Sequence, residues 1–231
     1  MALGDTLTQR ILSNWRTAPI DEKLKASLGF LEKLTLSPDC VDSEDVPTLR
    51  AAGLTDRAIT DAIYICIGFN IINRIADALG FKLPPPERFG RGAKIVFRFG
   101  YKLMSGTWFE SGGRQHSLVN ENNSPVDCEA MGDPYESMFK QLTETVLCGP
   151  GELDPEVRKA ASQNEKIPGA LGPYVQRVVE RAYTVTDQDI TVLREDGYSE
   201  DQIFEATVSA ALGAGLVRLK SGIGALRARE R

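Results

Sequence analysis

Residues 41–81 read VDSEDVPTLRAAGLTDRAITDAIYICIGFNIINRIADALGF, and residues 185–225 read VTDQDITVLREDGYSEDQIFEATVSAALGAGLVRLKSGIGA. The two stretches overlay at a constant offset of 144 positions without a gap. Identical pairs include Val41/Val185, Asp45/Asp189, Leu49/Leu193, Arg50/Arg194, Gly53/Gly197, Ile59/Ile203, Ala62/Ala206 and Arg74/Arg218. Average residue usage gives only about two or three matches by chance. Conservative pairs such as Val46/Ile190, Thr55/Ser199, Asp56/Glu200 and Asp61/Glu205 fill the spaces between them. The chain therefore reads as a duplication of a helical unit, each copy with an apolar face that needs covering.

Each copy carries its own punctuation. Ser43 is placed to cap a short helix closed by Gly53, and Thr55 to cap a long helix from residue 56 to about 79. In the second copy Thr186 or Asp187 caps a short helix closed by Gly197, and Ser199 caps a final helix from 200 to about 226. The first long helix is apolar almost all round in its middle, which predicts a central, buried rod. The second carries Ala210, Ala211, Gly213, Ala214 and Gly215, small residues that let another helix come close. Earlier helices are predicted from the stripe Leu3, Leu7, Ile11, Trp15, and from 19 to 36, 154 to 162 and 173 to 182. No convincing strand is present, so the expected class is all-α.

Between the copies, Pro84, Pro85 and Pro86 break the pattern, and a helix is expected from about 91 to 104. From 105 to 132 there is no periodicity, and a stretch of that length is either mobile or functional. The expected organisation is a first unit over 1–83, a linker helix and irregular loop over 84–132, and a second unit over 133–231.

Composition limits the function. Apolar residues at 42% and charged residues at 26% are those of an ordinary globular chain. A net charge of -5 argues against nucleic acid as a partner. The first residues have neither the basic start nor the apolar run of a secretory signal, and the longest apolar stretch, 62 to 72, is too short to cross a bilayer. Four scattered cysteines fit a reducing compartment, so a cytoplasmic protein without membrane contact is expected. With one histidine and no cysteine cluster, neither a metal site nor a cofactor is expected.

The block LEKLTLSPDCVDSEDVPTLRAAGLTDRAITDAIYICIGFNIINRIADALGF, Leu31 to Phe81, resembles the C-terminal part of alkylhydroperoxidase D-like proteins of the carboxymuconolactone decarboxylase superfamily. The stretch from Val185 to Leu219 is similar to the same superfamily, as is LCGPGELDPEVR before it. The resemblance implies an all-α fold with two repeated units, homo-oligomers, and often a thiol peroxidase chemistry. That chemistry uses a CxxC pair, a nearby histidine and an upstream glutamate. Here Cys40, Cys66, Cys128 and Cys148 form no such pair, and residues 1–39 contain no cysteine. The expectation is a peroxidase-related protein that acts on or binds a small organic substrate without the dithiol centre. A non-catalytic ligand-binding or oligomeric assembly module is the alternative, and a single-cysteine antioxidant protein a second.

Asn70, Asn73, Arg74 and Asp77 fall at i, i+3, i+4 and i+7, which makes one polar stripe along an apolar helix. They are the candidate substrate contacts, with Arg74 holding an anion; the competing account is a self-satisfied structural network. The second copy keeps only Arg218 of the four. Candidates for catalysis are Asp61 and Glu205, one turn into the long helices, the lone His116, and Cys66, although a cysteine in an apolar helix usually serves as a small hydrophobe. Arg88, Arg91, Lys94, Arg98 and Lys102 could hold an acidic ligand or simply form a solvated face.

Overall fold

The computed structural model describes residues 5–82 and 135–228, and among these every regular element is helical. In chain order they are α1 (Asp5–Asn14), α2 (Glu22–Leu36), α3 (Val46–Ala51), α4 (Asp56–Ala78), α5 (Glu136–Cys148), α6 (Pro155–Ser162), α7 (Leu171–Arg181), α8 (Asp187–Glu195) and α9 (Glu200–Arg227). Residues Met1–Gly80 and Tyr135–Arg231 belong to one compact unit, and Phe81–Pro134 to another. The expected linker helix and irregular loop lie outside the described residues.

The helix ends follow from local chemistry. Thr55 accepts from the Ala58 N–H at 3.2 Å and opens α4. Ser199 accepts from the Gln202 N–H at 3.1 Å while the Gln202 side chain accepts from the Ser199 N–H at 3.0 Å, so α9 starts on a reciprocal cap. Gly53 and Gly197 take φ of +87° and +95°, which returns the next N–H to the helix just ended: Leu54 to Leu49 and Tyr198 to Leu193, each at 3.1 Å. A side chain at either position would strain the left-handed turn.

Contacts also recur at the 144-residue spacing. Lys33 pairs with Asp45 at 2.7 Å, and Arg177 with Asp189 at 2.5 Å. Arg50 pairs with Asp56 at 2.9 Å, and Arg194 with Glu200 at 2.6 Å. Burial pushes the Asp189 carboxyl up, but the Thr186 N–H and hydroxyl and the Arg177 guanidinium outweigh it and hold it below the usual carboxylate range. A carboxylate so lowered adds stability above its unfolded pKa of about 4 and loses it as pH falls further. Asp189→Asn should therefore lower stability at pH 7, and the gap to the wild type should close below about pH 4 in urea titrations. A gap independent of pH would reject this account.

Two apolar clusters form the core. Phe30, Leu34, Val46, Leu49, Ile59, Ile63 and Ile67 gather with Ala225 of α9, whereas Leu171, Val175, Val178, Leu193, Ile203 and Ala206 gather with Ala78 of α4. Each long helix thus ends in the core around the other's beginning, and the pair is antiparallel. Leu34 is fully buried, so Leu34→Ala should cost about 2–5 kcal/mol by chemical denaturation.

Two sequence expectations need correction. The middle of α4 is not buried all round: Ile65, Phe69 and Ile72 are 62%, 61% and 61% exposed. Composition identifies an apolar helix but not how many neighbours it has, and the outer face of α4 is uncovered among the described residues. By length and composition alone α4 is also apolar enough to cross a membrane, which an 11-residue run had excluded. The enclosed rod is α9, whose residues from 209 to 215 are buried throughout. Its Gly215 lies against Ile71 and Ile67 of α4, as the small residues predict, but Gly213 faces Ser162 of α6. Helix α5 was not anticipated. It packs Phe139 against Tyr64 at 5.0 Å, alongside Tyr135 at 4.7 Å.

Candidate functional site

The crossing of α4 and α9 carries the most connected group of polar side chains on the long helices. Asn70 is 8% exposed, in an otherwise apolar neighbourhood, and such an amide needs partners. Its Oδ1 accepts from Arg74 Nη1 at 3.0 Å, which leaves Nδ2 as the donor. That amide faces the Cys66 carbonyl at 3.0 Å, the Thr35 hydroxyl at 3.3 Å and the Cys66 sulfur at 3.4 Å. Thr35 Oγ1 also lies 3.4 Å from the Cys66 sulfur. The thiol, half-buried, is thus held between a hydroxyl and an amide.

Two arginines clamp this group. Arg74 donates through Nη1 to the Asn70 carbonyl at 3.0 Å and through Nε to the Val179 carbonyl at 3.3 Å. Arg218 donates to the Ala214 carbonyl at 2.8 Å, and through Nε and Nη2 to the Thr35 carbonyl at 3.0 and 2.9 Å. Residues 35 and 179, like 74 and 218, are 144 apart, so each arginine reaches the same place on the opposite half. Burial pulls Arg74 down to about 10; the neighbouring Arg218 charge adds to that, and Asp77 opposes it. Burial lowers Arg218 too, against Cys66 and Asp39.

The predicted stripe is therefore only partly assembled. Asn70 and Arg74 meet, whereas Asn73 and Asp77 are exposed. Asp61 accepts from the Tyr135 hydroxyl at 2.9 Å and Arg57 Nε at 3.0 Å. Glu205 sits far along the other helix pair: it accepts from the Glu152 and Leu153 N–H groups at 2.9 Å each and lies 3.9 Å from Arg158 Nε. It lines a cavity of about 360 Å³ with Thr145, Asp201, Phe204 and Val208. His116, Cys128 and the basic run from 88 to 102 lie outside the described residues. Among the described residues no group of three or more histidine, cysteine or acidic side chains could hold a metal ion.

Sequence reasoning missed Thr35, whose place depends on α2 folding back on α4, and Arg158, which is 3% exposed and binds the Val146 and Gly149 carbonyls. The retained Arg218 was the one available signal that the second copy completes the group. Compared with known proteins, the chain matches no family model, no curated protein and no solved structure.

Proposed function

We propose that the chain is an alkylhydroperoxidase D-like protein of the carboxymuconolactone decarboxylase superfamily, built of two repeated units. It acts on or binds a small organic substrate without a dithiol peroxidase centre. The observation that carries this reading is the group of Cys66, Asn70, Arg74, Thr35 and Arg218, which joins a partly accessible thiol, an oriented amide and two guanidiniums at one helix crossing. Recurrence of the same ion pairs, turns and arginine contacts at one spacing supports the two-unit fold. Ligand-observed NMR against a panel of small aromatic and unsaturated molecules tests the reading. Binding should be lost in Asn70→Ala and in Cys66→Ala while circular dichroism stays that of the wild type. Binding that survives both changes would place the ligand elsewhere and reject the site.

A self-association reading has its own support in the exposed Ile65, Phe69 and Ile72, three large apolar side chains one turn apart. If that face pairs with a second copy, Phe69→Glu should reduce the mass seen by sedimentation. An unchanged mass would reject it.

A further inference from the structure

The seam that α4 turns away from the core is apolar along its whole length. Ala58, Ala62, Ile65, Phe69, Ile72 and Ala76 follow one another at intervals of 4, 3, 4, 3 and 4 residues. That is the spacing with which one helix receives the side chains of another. Each of the six lies at least partly in the open, and a Cβ on Gly68 at the edge of the seam would meet nothing within 4 Å. The opposite side of the helix, with Ile63, Ile67 and Asn70, is already buried in this chain.

We infer that α4 pairs antiparallel with α4 of a second copy, Ile65 of each chain packing against Phe69 of the other. This rests on the self-association reading above and gives it a helix, a direction and a register. The intervals read the same in both directions, and their centre falls at Ile67, which is also the midpoint of Asp56–Ala78. Reversing the helix over itself therefore sets Ile65 opposite Phe69, Ala62 opposite Ile72 and Ala58 opposite Ala76 along its full length. A two-fold interface requires such a self-complementary surface. A parallel pair would instead place Phe69 against Phe69 and bring like ends of the two helix dipoles together. Ile65, Phe69 and Ile72 of both copies, each about three-fifths exposed, supply roughly 600–900 Å², about half of the 1,200–2,000 Å² of a stable interface. Met138 and Leu142 extend that surface: they are exposed on the side of α5 that carries Tyr135, whose hydroxyl meets Asp61 at the edge of the seam. The charges on α4 are Asp56, Arg57, Asp61, Arg74 and Asp77, and Arg74 turns toward the Val179 carbonyl. The rim is thus acidic, which does not suit an anionic lipid surface, where a helix presents lysine and arginine.

Sedimentation of the full chain, alone and in mixtures, tests the pairing. The wild type should be a dimer, and Ile65→Lys and Phe69→Glu should each raise the dissociation constant about tenfold or more. Both side chains are exposed, so circular dichroism should stay that of the wild type. An equimolar mixture of the two variants sets the new lysine opposite the new glutamate on one side of the axis and keeps Phe69 opposite Ile65 on the other. It should associate at least about tenfold more tightly than either variant alone. In a parallel pair, or in a shifted register, the two changes do not face each other and mixing gains nothing. Two monomeric variants that stay monomeric when mixed would therefore overturn the antiparallel register and leave only self-association standing. A monomeric wild type, or a dimer indifferent to both changes, would overturn the interface and the self-association reading together. A monomer that floats with phosphatidylcholine–phosphatidylglycerol vesicles would assign the face to lipid and overturn the pairing. Ligand binding at Asn70 is read separately, by the NMR titration, in the wild type and in monomeric Phe69→Glu.

Discussion

Gly213→Ala is expected to lower the thermal unfolding midpoint by roughly 6–12 °C, from an overpacking cost of about 3 kcal/mol in a domain of this size. A Cβ at this position would lie 2.5 Å from the carbonyl carbon and 2.6 Å from the Cα of Ser162. Those are backbone atoms, so no rotamer change relieves the clash and α6 must move off α9. Gly215→Ala is the control. Its Cβ would meet Ile71 side-chain atoms at 2.6 and 2.9 Å, which can turn away, so about 1 kcal/mol is expected. Calorimetry of both variants is decisive, because equal losses would mean that backbone proximity is not what sets the cost.

Arg218→Ala should follow at about 2–4 kcal/mol by urea denaturation, since hydrogen bonds from a charged donor are worth about 1.5–3 kcal/mol each and these are partly exposed and share one side chain. The Thr35 carbonyl loses both of its guanidinium donors, and α9 loses its tie to the end of α2. Arg74→Ala should cost a comparable amount through Val179. Because the two charges oppose each other, each single variant also relieves the repulsion, so the double variant should lose more than the sum of the singles, by about 0.5–3 kcal/mol. A strictly additive double variant would show that the repulsion does not matter to the fold.

Much of the scaffold is legible in the sequence, because its determinants are local. Thr55 and Ser199 cap the helices assigned to them, Gly53 and Gly197 take the left-handed conformation, and Pro38 lies just beyond the end of α2. Boundaries slipped where two residues could serve: the cap before α2 is Asp21, and the one before the 3-10 turn preceding α3 is Asp42 rather than Ser43. The site was only half readable. Helical spacing joined Asn70 to Arg74, but spacing cannot show that Asn73 and Asp77 turn outward, since that depends on which neighbour covers the helix. Nor could it show Thr35 and Val179 as acceptors, because a backbone carbonyl at a helix end leaves no mark in the residue type.

The crossed arginine contacts also bear on the autonomy of the halves. Arg74 satisfies a carbonyl that belongs to the later half, and Arg218 one that belongs to the earlier half. Expressed alone, either half would lose the acceptor that its arginine finds across the crossing, leave a helix end without its donor, and expose apolar surface that the other half covers. The two pieces should thus be poorly soluble apart and recover when produced together, complementing each other as non-covalent partners. An ancestor carrying one copy would, on the same grounds, have needed a twin molecule to supply what the second half now supplies within one chain.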